Sequence, residues 1–330
     1  MPTFSIILAT RDRPVLFSEA LESVLSQSFT DFEVHVVNDG SAPEHRAAYE
    51  SVIAAAQARI GDRIKSHWLV RRPKGHGQSY SLNYGVDHAS GEYIGILDDD
   101  DVWTDNGHLE RAAKALANTP ADMYMVNQRA YLRDKELEGP LWLGELAREV
   151  TARGKQPDAD GVFSVSIDDL MATSGFCHLN CLIVRRSLYQ GVGSMDEGIR
   201  WECDRDIFLR LIDQAGTMLH HPAFMSRHNV PDPTKSLNMT TALGMVDKRL
   251  LQVRVLDKAA LFSKHAAIRK HGRMHKGYAL KKIVEELAGK GQWQTASSYA
   301  WQALGTLPTF KWAVYAVHCQ LRSCLQGNKS

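Results

Sequence analysis

The chain is most informative first in what it lacks. No unbroken apolar run reaches the ~20 residues needed to cross a bilayer. Its five cysteines (Cys177, Cys181, Cys203, Cys319 and Cys324) are odd in number and scattered, which excludes a disulfide framework. Cys177 and Cys181 flank His178, but no second ligand pair follows at finger spacing, so reduced, buried thiols are expected there and not zinc. There is no excess of either charge: 39 Lys and Arg against 38 Asp and Glu leave a net charge of +1. Global electrostatics therefore gives no hold on nucleic acid, and none is expected as a partner. Also missing is a glycine-rich turn after the first apolar run, where Ala9-Thr10-Arg11-Asp12-Arg13-Pro14 stands instead. A dinucleotide pyrophosphate would lack its usual cradle.

What is present describes a globular α/β protein. A hydrophobic share of 44% with 23% charged residues is ordinary for a folded domain, and 330 residues suffice for one large domain plus a smaller appendage. The opening Phe4–Ala9 run is short, lacks a basic flank and ends in charged residues, so it reads as a strand and not a signal peptide. The chain is expected in the cytoplasm.

Strand candidates are Phe4–Ala9, Glu33–Asp39, Ile64–Leu69, Tyr93–Asp98 and Met123–Asn127, separated by helical patterns near 15–27, 43–59, 78–89 and 106–118. Such alternation predicts a mainly parallel sheet flanked by helices. In such sheets ligands bind at the carboxyl ends of the strands, so the polar residues ending the first, second and fourth candidates share one crevice. From 128 to 165 the pattern breaks into charged, Gly- and Pro-containing sequence that reads as a long loop. Cys181–Val184 and Thr217–His220 look like further strands around a helix near 203–215. From about 237 the chain reads as wholly helical, and Gly291-Gln292-Trp293 with the apolar positions up to Pro308 resembles one tetratricopeptide-like hairpin. The expected division is thus 1–236, with halves 1–127 and 128–236, followed by a helical extension 237–330.

The sharpest chemical feature is Leu97-Asp98-Asp99-Asp100-Asp101-Val102-Trp103 after an apolar strand. Four adjacent carboxylates repel one another, and no fold requires them. At a strand end they suit Mg²⁺ or Mn²⁺ shared with substrate phosphates. The plainer reading is a solvated acidic turn, at odds with so apolar a strand. A second strand ends in Val37-Asn38-Asp39-Gly40-Ser41, where an acid can grip a ribose. A single nucleotide whose diphosphate is held by a metal fits both features.

Taken together, these segments resemble the family 2 inverting glycosyltransferases of GT-A fold over residues 3–230. Ser5–Pro14 resembles the family's opening strand and turn, Leu21–Phe29 its first helix, and Val37–Ser41 its nucleotide-binding strand end. Asn83-Tyr84-Gly85-Val86 and Ser90–Ile94 lead into Leu97–Trp103, which is similar to its metal-binding aspartate motif. The resemblance implies a nucleoside-diphosphate-sugar donor, UDP-linked by preference, bound by Thr10, Arg11, Asp39, Arg72, Asn83, Asp98 and Asp99. It implies Mn²⁺ or Mg²⁺ held by Asp100, the better direct ligand, and His228 in Met225-Ser226-Arg227-His228-Asn229. Trp201–Leu211 resembles the segment carrying the family's Glu-Asp pair, which puts Asp204 in the general-base position. Cys203 stands where an acid is usual, and Glu202 is placed to share that role. Where many relatives have an arginine before Asn83, this chain has Ser81-Leu82, which shifts phosphate neutralisation to Arg71, Arg72 or Lys74. Trp142 and Trp201 are candidates to stack on a sugar, or core residues.

Two rival enzyme classes fit less well. A phosphatase of haloacid dehalogenase type would carry its Asp-x-Asp on the first core strand, not the fourth, and a nucleotidyltransferase would want a glycine-rich loop. A degenerate, non-catalytic binding module remains a third reading, against which the retained acids argue. The acceptor, carbohydrate or lipid-linked, belongs to the least patterned region, 128–200. Between Asp257 and Glu285 there is no acid, while seven cations from Lys264 to Lys282 crowd the stretch. Contact of 258–284 with the inner membrane surface is expected, with a solvated helix face or a homodimer contact as the competing reading.

Overall fold

A computed structural model describes residues 1–139, 141–173, 175–230 and 243–327. The chain divides into two compact units: 1–198 with 214–232, and 199–213 with 233–330. The expected boundary at 236 lies outside the described residues. Residues 199–213, expected in the acceptor half of the first domain, group with the helical unit.

The first unit is built on β1 (Phe4–Thr10), β2 (Phe32–Asn38), β3 (Ile64–Trp68) and β4 (Tyr93–Ile96), which pair in parallel in the order β3-β2-β1-β4. β1 and β2 are buried almost throughout, as interior parallel strands are, and the polar residues within them are paired: Ser5 Oγ donates to Glu33 at 2.7 Å. α1 (Pro14–Leu25) starts with proline at its first turn, where a missing N–H costs nothing, and buries Phe17, Ala20, Leu21 and Val24. α2 (Arg46–Ile60) and α3 (Gln78–His88) complete the alternation. α3 packs close to the sheet at Gly85, where a Cβ would lie 2.6 Å from Ile7 Cγ2. Register places Thr10 beside Asn38 and Ile7 beside Ile96. The acidic turn after Ile96 therefore emerges next to the end of β1.

Beyond β4 the sheet is mixed. β5 (Val102–Trp103), α4 (His108–Asn118) and β6 (Met123–Leu132) are followed by the two-residue β7 (Lys135–Glu136), α5 (Leu146–Ala152), β8 (Phe163–Val165) and α6 (Ile167–Ala172). β9 (Leu182–Arg185) inserts antiparallel between β4 and β6, ahead of α7 (Arg186–Gly191). After α8 (Cys203–Ile212), which belongs to the second unit, β10 (Met218–Val230) runs parallel to β6 and antiparallel to β5 and β8. Two sequence expectations need correction here. The span 128–165 is not one loop, since β6 continues to Leu132 and β7, α5 and β8 follow. The strand expected at 217–220 extends to Val230, with register shifts between His220 and Ser226 that accommodate Pro222, a residue unable to donate to a ladder.

The second unit is helical, as expected: α8 with α9 (Met245–Phe262), α10 (Ala266–Gly289), α11 (Trp293–Thr306) and α12 (Phe310–Gly327). Leu280, Ile283, Val284 and Leu287 of α10 pack with Ala296, Ala300 and Ala303 of α11 and with Trp312, Ala316 and Cys319 of α12. The alanine ridge lets the helices approach closely. The basic stretch is free of acids only along the chain. In space Lys258 meets Asp206 at 2.7 Å, Lys276 meets Asp257 at 2.6 Å and Lys282 meets Glu285 at 2.8 Å. Cys177, Cys181, Cys203 and Cys319 are buried free thiols, as the sequence suggested. Among the described residues, no helix is long and apolar enough to cross a membrane.

Candidate active site

The four carboxylates after β4 divide by burial. Asp99 and Asp101 are 1% and 0% exposed, whereas the side chains of Asp98 and Asp100 keep 18% and 26% of their surface. Turning the chain through Asp98–Asp101, closed by the Asp101 amide donating to the Asp98 carbonyl at 3.2 Å, sends alternate side chains inward and outward. The inward pair holds the site together. Thr10 Oγ1 donates to Asp99 at 2.6 Å, and Arg13 pairs with Asp99 and, at 2.7 Å, with Asp100. Burial pushes the Asp99 carboxyl up to about 6 and Asp100 adds to the shift, while Arg13 opposes it. Burial alone would lower the Arg13 guanidinium, but the Asp99 and Asp100 carboxylates outweigh it and hold it above its usual range. Asp101 accepts from Asn180 Nδ2 at 2.6 Å and from the Asn229 amide at 2.7 Å, and bonds His228 Nδ1 at 2.7 Å. It thereby ties β10 and the turn before β9 to the acidic turn.

The outward carboxylates are hard oxygen donors of the kind that share Mg²⁺ or Mn²⁺ with phosphates. Asp98 accepts from Gln78 Nε2 at 2.7 Å and lies 3.9 Å from His178 Nε2. Among the described residues no three acidic, imidazole or thiol groups form a ready-made cage. A cation that takes one or two protein carboxylates and completes its shell from substrate and water does not need one. His228 bonds Asp101 through Nδ1, and a carboxylate partner on one ring nitrogen is common in histidines that ligate metal through the other. Rings of His178, His228 and Trp142 cluster with centroids 5.0–5.7 Å apart. Burial, with His228 next to it, pushes His178 down to about 3, so it is neutral.

Asp39 follows directly on β2 and meets the loop that precedes α3. Its carboxylate accepts from the amides of His76 (2.8 and 3.1 Å) and Gly77 (3.0 Å). Arg11 donates to the carbonyls of Arg72 at 2.9 Å and Pro73 at 3.3 Å, holding the same loop from the β1 side. Gly75, at φ +66°, passes so close that a Cβ would lie 2.3 Å from Arg11 Nη1 and 2.4 Å from Asp39 Oδ2. The loop carries Arg71, Arg72 and Lys74, all exposed, over the ends of β1 and β2. Asn83 is accounted for differently than expected. Its amide donates to the Met195 carbonyl (3.0 Å) and Glu197 (3.2 Å) and accepts from the Met195 amide (2.9 Å) and Tyr189 hydroxyl (3.0 Å). These bonds anchor the 195–197 turn to α3.

The structure thus brings Thr10, Arg11, Asp39, Asp98, Asp99, Asp100 and His228 to one edge of the first unit, with Arg72 on the loop above. Arg13, Gln78 and Asn180, which sequence reasoning did not single out, complete it together with Asp101, which the sequence showed as one of four adjacent carboxylates with no separate role. Asn180 had no local signal, since its partners in the acidic turn, Asp98 and Asp101, lie about 80 residues away. Asp204 belongs to the second unit, in the first turn of α8, where Cys203 Sγ approaches its Oδ1 at 3.4 Å. Glu202, at φ +64°, is held by Arg205 at 2.5 Å and Gln252 at 3.1 Å. Those bonds account for Glu202 as an anchor of α8. Asp206 is buried between Arg210 and Lys258, each at 2.7 Å.

A Campylobacter jejuni GalNAc(5)-diNAcBac-PP-undecaprenol beta-1,3-glucosyltransferase is 29% identical over 160 residues, 48% of this chain and 46% of that relative. The chain therefore spans about half the length of that relative. Staphylococcus aureus TarS 1-349 in complex with UDP-GlcNAc aligns over 97% of this chain and 88% of its own, with a TM-score of 0.66 at 15% identity. A mannosyltransferase from Pyrobaculum calidifontis, in complex with GDP-Man and Mn²⁺, aligns over 98% of this chain and 86% of its own, with a TM-score of 0.58 at 15% identity. These likenesses are of fold, and the fold is GT-A-like. The sequence model described as Glycosyl transferase family 2 matches residues 5–188, more than half of the chain, and the protein belongs to that family.

Proposed function

We propose that the protein is an inverting, divalent-metal-dependent glycosyltransferase that moves a sugar from a UDP-sugar to an acceptor hydroxyl, in the assembly of a surface polysaccharide or glycoconjugate. The observation that carries the reading is the split within the acidic turn: two buried carboxylates fix the turn while Asp98 and Asp100 face outward beside the ends of β1 and β2. Asp39 and the Thr10 backbone border the base and ribose, and Arg11 with Arg72 lies toward the phosphates. Asp100, with Asp98 beside it and His228 through Nε2, would hold Mn²⁺ or Mg²⁺, which when bound stabilises the charge of the leaving nucleoside diphosphate. The chain's own residues do the rest. Arg13 holds Asp100 in place by bridging it to Asp99, one guanidinium nitrogen to each carboxylate, and Asp101 orients the His228 ring. Asp204 takes the acceptor hydroxyl's proton as the new bond forms, which general-base assistance favours by about 10²–10⁴-fold.

A nucleotide-sugar-binding neighbour of this fold supports the donor class, and the lipid-linked substrate in the Campylobacter relative's name supports a lipid-linked acceptor. The test is release of free nucleoside diphosphate from UDP- and GDP-sugars with Mn²⁺, with and without chelator, and anomeric analysis of the product by NMR. Release that survives chelation, or a product retaining the donor's anomeric configuration, would refute the metal role or the single displacement respectively.

A further inference from the structure

The helix α12 has two apolar faces, and among the described residues only one of them is covered. Trp312, Ala316 and Cys319 point into the core formed with α10 and α11. On the opposite side Phe310, Val314, Val317, Leu321 and Leu325 are 87%, 57%, 48%, 60% and 62% exposed. Their spacing of four, three, four and four residues lines them up along one stripe of the helix. Trp301 of α11, 45% exposed, extends the patch sideways, its indole N–H donating to Gln320 at 3.2 Å. Scattered exposed hydrophobics are ordinary, but a stripe five residues long on one helix marks a contact surface.

The charges beside the stripe select the occupant. Lys311 and Arg322 flank it on one side, both exposed, the Arg322 guanidinium lying over the Trp293 ring at 4.8 Å with no carboxylate partner among the described residues, and from Leu287 to the end of the sequence there is no acidic residue. A face-to-face contact with a second copy would bring these cations to a surface with no carboxylate on α11 or α12 to meet them. An anionic lipid surface satisfies both halves at once: the stripe enters the acyl boundary, and the cations reach back to the headgroups. The acid-free stretch at 258–284 is a poorer candidate, because Lys258, Lys276 and Lys282 already pair with Asp206, Asp257 and Glu285.

We propose that α12 is an interfacial helix that docks the protein on an anionic membrane, with Phe310, Val314, Val317, Leu321 and Leu325 immersed and Trp301 at the boundary. The inference stands apart from the donor chemistry, since none of these residues belongs to the candidate active site. Flotation of the full chain with phosphatidylglycerol–phosphatidylcholine vesicles tests it. Wild type should float with these vesicles and bind pure phosphatidylcholine more weakly. The Val317→Glu/Leu321→Glu variant should lose at least tenfold in vesicle partition with unchanged helical circular dichroism and unchanged nucleoside-diphosphate release without vesicles. If that pair disturbs folding, Leu321→Asn/Leu325→Asn provides the same test with a milder change. Trp301→Phe should remove part of the fluorescence blue shift that vesicles induce. The proposal is overturned if wild type does not float, or if the variants float equally well. It also fails if light scattering shows a dimer that the Glu variant dissociates while vesicles bind neither form.

Discussion

Replacing Asp39 by alanine separates loop anchoring from donor recognition at one position. The wild-type carboxylate accepts the amides of His76 and Gly77 at 2.8–3.1 Å, just before α3, so it also meets the positive end of that helix. A hydrogen bond to a charged group contributes about 1.5–3 kcal/mol. The loop is partly open to water, which can resolvate a freed amide, so the low end applies to each bond. Asp39→Ala should therefore lower unfolding stability by roughly 2–3 kcal/mol, measured by urea denaturation. Asp39→Asn keeps one carbonyl acceptor and should lose about half as much. If the same carboxylate also meets the nucleotide, calorimetry should show UDP affinity falling by about 1.5–3 kcal/mol in the alanine variant, beyond what the asparagine variant loses. Unchanged stability in Asp39→Ala would refute the anchoring. Unchanged UDP affinity, with stability lowered, would refute the recognition and leave the anchoring standing.

Three further outcomes are expected. Asp100→Ala should abolish most Mn²⁺-dependent nucleoside-diphosphate release while leaving the fold intact, because its carboxylate is one of the two that face outward; full activity in chelator-treated buffer would contradict this. Asp204→Asn should keep UDP affinity and lose turnover by about 10²–10⁴-fold, read from steady-state kinetics, and normal turnover would remove it as the base. Asp206→Ala should instead unfold the protein more easily, by about 3 kcal/mol in chemical denaturation. It strips Arg210 and Lys258 of a shared partner that is 2% exposed. A loss under 1 kcal/mol would show that water already compensates the pair.

The sequence by itself settled the parallel core and its chemistry-bearing ends. Short, mainly apolar runs from Phe4, Glu33 and Tyr93, alternating with helical patterns, read as strands of a covered parallel sheet, and a carboxylate following such a run emerges at the sheet edge. It also settled the helical tail, whose 3.6-residue periodicity is a local property. It left the extent of β10 and the strands within 128–165 unread, because polar residues on strands held by partners far along the chain carry no periodic signal. Nor could four adjacent aspartates be told apart. Which pair is buried depends on Thr10, Arg13, Asn180 and His228, contributed by β1 and its following turn, the turn before β9, and β10. The same holds for the basic stretch of α9 and α10, where the missing acids are supplied from α8, from the next helix turn and from Asp257 at its edge. Local spacing fixes elements, and only the packed chain fixes which charges face one another, because Coulomb and hydrogen-bond partners are chosen by distance in space and not along the sequence.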